Sequence, residues 1–112
     1  MSQLPGGTTA TADDIKITKY LLDPAHPIGR DKAQFFGSFG FLELNWIDLK
    51  KALLDHPKTN PVTSHMTTRY GEKYAVSCLL VTPDGRNPCI VSVWIIEPPD
   101  PIPQFVTAYP RP

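Results

Sequence analysis

Eight consecutive residues, Cys89-Ile-Val-Ser-Val-Trp-Ile-Ile96, are apolar at almost every position and constrain the fold more than any other feature of the sequence. A short β-branched run bounded by turn residues reads as a strand shielded on both faces, as at the centre of a sheet with helices on one side. It is far shorter than the ~20 residues needed to cross a bilayer. Pro83-Asp84-Gly85 precedes it, with proline presetting one turn dihedral and glycine accepting a positive one. Residues 73–82 and 89–97 are therefore predicted to form a hairpin. The Thr-rich stretch 62–69 predicts an edge strand, turning at Tyr70-Gly71-Glu72, and residues 104–109 a last strand after the proline-rich loop 98–103. Trp94 shares its face with Ile90, Ser92 and Ile96, which predicts core rather than a base-stacking surface.

The period differs in the first half. Ala33, Phe36 and Phe39 recur at helical spacing, Asp31 suits a first turn, and Gly40 stands where a left-handed cap would close the helix, with Phe41 folding back on it. A second helix is predicted from Asn45 as cap, with Trp46, Leu49 and Leu53 on its buried stripe and Pro57 as its stop. Residues 15–22 fit a strand or a helical turn equally, and Pro24 and Pro27 force a loop. Residues 1–13, rich in Gly, Thr and Ala, predict a mobile arm ahead of a single domain over 14–112. The expected class is α+β: two N-terminal helices packed on a four-stranded antiparallel sheet.

Composition removes several functions. Eleven basic and eleven acidic residues cancel, so any contact with nucleic acid must use a local patch. The start of the chain lacks the basic and apolar segments of a secretory signal, which predicts a cytoplasmic protein. In that setting Cys78 and Cys89 are expected as buried free thiols, although their strands are close enough for a disulfide. His26, His56 and His65 lack metal-ligand spacing, so neither metal nor cofactor is expected.

No phosphate loop, dinucleotide fingerprint or nucleophile elbow is present. What remains is polar residues that core packing does not require. His26, between two prolines, has the chemistry of a proton acceptor near neutral pH; its plainer reading is a turn residue bonded to its own backbone. Arg30 and Lys32 lie in a helical first turn, where a cation opposes the helix dipole but could help hold a phosphate. Thr107 and Tyr109 are predicted on the same strand face as Phe105. Arg69, Lys73 and Arg86 could extend a cationic patch; the ordinary alternative is that they are solvated.

The segments Tyr20-Leu-Leu-Asp-Pro-Ala-His-Pro-Ile-Gly-Arg-Asp-Lys-Ala-Gln-Phe-Phe, Tyr70-Gly-Glu-Lys-Tyr, Pro83-Asp-Gly-Arg and Phe105-Val-Thr-Ala-Tyr-Pro together resemble a family of small uncharacterised bacterial domains, some in toxin, phage or defence settings. The layout also resembles metal-independent ribonuclease toxins related to barnase, EndoU, colicin and RelE. That resemblance implies His26 and Lys32 as the His or Lys near the first helix, Lys73 or Arg69 as the strand cation, and Thr107 as the terminal-strand hydroxyl.

Two functions follow as expectations. The favoured one is a non-catalytic partner-binding or accessory module that recruits a protein through the 62–69 edge or the 98–103 loop. The alternative is a metal-independent endoribonuclease using His26, Lys32, Lys73 and Thr107, with Arg30, Arg69, Arg86 and Tyr109 contacting RNA.

Overall fold

In a computed structural model, which describes residues 3–111, the expected α+β class is found. A short α1 (Asp14–Lys16) runs into a π-helical turn (Ile17–Leu21), followed by α2 (Arg30–Ser38) and α3 (Trp46–Thr59). Four strands then follow in chain order: β1 (Val62–Thr68), β2 (Gly71–Leu79), β3 (Cys89–Ile96) and β4 (Gln104–Pro110). They form one antiparallel sheet in the order β1-β2-β3-β4, so β1 and β4 are its edges.

The core lies between the helices and the Trp94 face of the sheet. Trp94, Ile90 and Val76 meet Phe36, Leu49 and Leu53, all fully buried. On the opposite face Val93 and Ile95 are half-buried, so the double shielding expected for β3 is only partial. Gly40 has φ +103°, a conformation that strains any residue with a Cβ, and the Phe41 amide returns to the Phe36 carbonyl at 3.1 Å as the cap predicts.

Four local expectations need correction. Residues 3–13 do not stand apart from the body: Leu4 and Ala12 enter the core, and Thr11 bonds to Pro103 and Phe105 at the start of β4. Two apolar anchors suffice where the average composition suggested none. Helix α3 runs through Pro57 to Thr59, because burial of the proline ring offsets one lost backbone bond, and Asn60 Nδ2 donates to the His56 carbonyl at the helix end. Asn45 makes no cap bond to α3; its amide braces the preceding turn by donating to Gly40 and accepting from the Leu42 amide. Cys78 and Cys89 are not free thiols. The hairpin brings their Cα atoms to 4.2 Å, and a disulfide joins them.

The last strand holds the correction that matters most for function. Phe105 pairs with Trp94 while Thr107 pairs with Val93, so two steps along β4 match one along β3, and Val106 is the extra residue of a bulge. Directly paired residues share a face and neighbours alternate, so Thr107 and Tyr109 lie on the opposite face from Phe105, not on the same one. Phe105 and Ala108 are buried in the core, and Thr107 is released from it.

Candidate functional site

The helical start of the chain runs beside the outer edge of β4, where the bulge leaves the Val106 carbonyl to accept a bond of 3.0 Å from Lys16 Nζ. One turn on, Tyr20 points toward the same edge. The loop through His26 returns the chain so tightly that a Cβ on Gly29 would lie 2.1 Å from the Tyr20 carbonyl oxygen. Only glycine allows this approach, and α2 starts at the next residue. Lys32, in the first turn of α2, is thereby brought over Tyr20 and β4.

Its ammonium is the centre of a cluster. Lys32 Nζ donates to Tyr20 Oη at 2.7 Å and to Thr107 Oγ1 at 3.0 Å, and the two hydroxyls are themselves 3.2 Å apart. Lys32 also lies 5.1 Å from the Tyr20 ring centre and 5.8 Å from that of Tyr109, so two electron-rich faces help hold the charge. Burial works against ionisation of the Tyr20 phenol. The bonds from Lys32 and Thr107 and the charges of Lys32 and Lys16 outweigh it, and the Tyr20 pKa lies below the ordinary value of 10.0.

Tyr20, Thr107, Lys16, Lys19 and His26 line one open groove of about 540 Å³. The His26 ring meets that of Tyr20 edge-on at 5.2 Å. Its Nδ1 accepts the amides of Ile28 and Gly29 at 3.0 and 2.9 Å, which places the proton of the neutral ring on Nε2. His26 organises the turn through its own backbone, and in this tautomer its remaining nitrogen is a donor with no lone pair to accept a substrate proton.

The structure thus brings His26, Lys32, Thr107 and Tyr109 together and adds Tyr20 and Lys16, which sequence reasoning passed over. The remaining candidates are not joined to the cluster. Lys73 is on β2, two strands from β4, and pairs with Ile95 and Met66. The Arg69 guanidinium packs on the Tyr70 ring at 5.1 Å beside the β1–β2 turn. Arg86 is engaged by Asp84 at 2.6 Å, by the Ser38 carbonyl and by the Phe39 ring at 4.4 Å. Arg30 is exposed at the start of α2, 3.9 Å from Asp31.

A second polar cluster lies inside the core. The Trp94 indole donates to Ser92 Oγ at 2.9 Å, Ser92 Oγ lies 2.8 Å from His56 Nδ1, and His56 Nε2 lies 2.9 Å from the Cys78 carbonyl. A carbonyl can only accept, so His56 carries its proton on Nε2 and takes one from the serine on Nδ1. Burial lowers its pKa, although the bond to Cys78 pulls the other way. No group of three or more His, Cys, Asp or Glu side chains among the described residues is placed to hold a metal. No helix among them is long and apolar enough to cross a membrane.

A cationic, hydroxyl-rich groove beside the terminal strand of an α+β fold is the architecture defined by these residues. The chain belongs to the family described as domain of unknown function DUF6883, whose match spans residues 3–112. No curated protein matches it. Among solved structures it is similar to a chain in a contact-dependent growth inhibition toxin–immunity protein complex from Klebsiella pneumoniae 342, with a TM-score of 0.72 and 16% identity. The likeness covers 97% of this chain and 99% of that one, and at this identity it shows a common fold.

Proposed function

We propose that this domain is the RNA-cleaving member of a toxin–immunity pair and works without a metal. The observation that carries the reading is the Lys32 ammonium, fixed by Tyr20 and Thr107, which themselves line an open groove together with Lys16 and Lys19. A preorganised cation beside a hydroxyl is suited to the charge that gathers on phosphate oxygens as a phosphodiester is attacked. In this role Lys32 stabilises the phosphorane, Thr107 orients a phosphate oxygen, and the Nε2–H of His26 donates to another. In the same reading Arg30, exposed at the start of α2, meets a neighbouring phosphate. An RNA substrate makes the cytoplasm its place of action.

The fold shared with a chain of a toxin–immunity complex supports a protein partner as well. A purely binding role is the second reading, favoured by the exposed run of β1 at the sheet edge, whose outer backbone groups are available to an added strand. Purified protein incubated with total RNA in excess EDTA separates the two. Cleavage that survives EDTA and is lost in folded Lys32→Met supports the nuclease; intact RNA with well-folded protein rejects it and leaves the binding role.

A further inference from the structure

We infer that Tyr20 is the general base of this reaction, its phenolate oxygen taking the proton of a ribose 2′-hydroxyl; the inference rests on the groove cleaving RNA as proposed above. Elimination is the first support. The residues lining the groove include no carboxylate, and the nitrogen through which His26 could accept a proton is already used by the Ile28 and Gly29 amides. Tyr20 Oη remains as an oxygen in the groove with an ionisable proton.

Its surroundings are the second support, because two elements bond its oxygen directly. Lys32 from α2 and Thr107 from β4 bond Oη, Lys16 from α1 and Lys19 from its own turn line the same groove, and the edge of the His26 ring packs against the Tyr20 ring from the loop. The Lys32 bond and the nearby charges favour the phenolate, in keeping with the lowered pKa. A base tuned toward the working pH is more effective than one with its ordinary value.

The step balances without a co-reactant. The phenolate takes the 2′-hydroxyl proton, the 2′-oxygen forms a bond to phosphorus, and the bond from phosphorus to the 5′-oxygen breaks. That oxygen leaves with a proton from water, while Tyr20 returns its proton to solvent. The products carry a 2′,3′-cyclic phosphate and a 5′-hydroxyl.

Tyr20→Phe removes the oxygen alone and keeps the ring that packs against His26. In folded protein it should lower the rate of RNA cleavage by roughly 10²–10⁴-fold. The increase of the rate with pH should disappear with it. Thr107→Val, which withdraws one bond to Oη, should move that increase to higher pH, an effect that a merely structural role of Tyr20 would not produce. Wild-type cleavage by folded Tyr20→Phe with an unchanged pH profile overturns the inference but not the nuclease. A phosphate found covalently on Tyr20, or cleavage of DNA equal to that of RNA, also overturns it by making the tyrosine a nucleophile. Ultraviolet titration of tyrosinate in wild type and Tyr20→Phe needs no substrate: a Tyr20 that ionises no earlier than an ordinary phenol rejects the base role. RNA left intact by wild type rejects both proposals.

Discussion

The core cluster around His56 and the β4-edge cluster around Lys32 both join aromatic, hydroxyl and basic groups, and they are built to opposite ends. In the core, Trp94, Ser92, His56 and the Cys78 carbonyl form a closed chain, and no buried side-chain polar atom among the described residues is left without a partner. At the β4 edge, Tyr20, Lys32 and Thr107 bond one another yet open on a groove. A closed network fixes one arrangement of the core, because any missing member leaves the others desolvated and unbonded. An open one keeps capacity for a ligand. Residue types alone do not separate these cases; the solvent on one side does.

Substitutions should separate them sharply. The largest effect expected is on catalysis: Lys32→Met should reduce RNA cleavage about 10²–10³-fold, the loss typical of one preorganised donor, while thermal unfolding changes little. A matching loss of stability would mean that Lys32 chiefly ties α2 to β4. His56→Ala should show the reverse, losing about 2–4 kcal/mol of unfolding free energy through a cavity and stranded partners. Its cleavage rate, measured where the variant is folded, should stay near wild type. A marked fall in rate with stability intact would break the division between the clusters.

A smaller effect should appear with pH. His56 has a lowered pKa in the fold, so the unfolded chain binds its proton more readily. The neutral-His56 contribution is complete above the unfolded value of about 6.5 and is lost as pH falls below it, by at most ~1.4 kcal/mol per pH unit until the folded group also protonates. Denaturant titrations should show a steeper acid loss for wild type than for His56→Gln; equal slopes would remove His56 as the cause. The smallest change is expected for Arg86→Ala, with less than a twofold effect on cleavage, since Arg86 is engaged by Asp84 and Phe39 away from the groove. A large loss would return Arg86 to the binding surface.

The sheet was legible because its signals are local: Pro83-Asp84-Gly85 carries turn chemistry, and 89–96 carries its apolarity within eight residues. Lys32 could be singled out because a lysine in a first helical turn opposes the dipole. Tyr20 could not. Among Ile17, Leu21 and Leu22 it reads as apolar filling, and its partner Thr107 is 87 residues away. The bulge was equally hidden, since Phe105-Val-Thr-Ala-Tyr109 contains no glycine or proline to mark an extra residue. His56 looked isolated because its partners come from β2 and β3.

The extra residue at Val106 sets the phase of everything after it in β4. Were Val106 paired with Val93 in an unbroken ladder, Thr107 would fall opposite Ser92 and turn inward, taking its hydroxyl away from Lys32 while Trp94 and Phe105 kept their pairing. One register therefore serves both chemistry and core, keeping the Thr107 hydroxyl beside Lys32 and the Ala108 side chain buried.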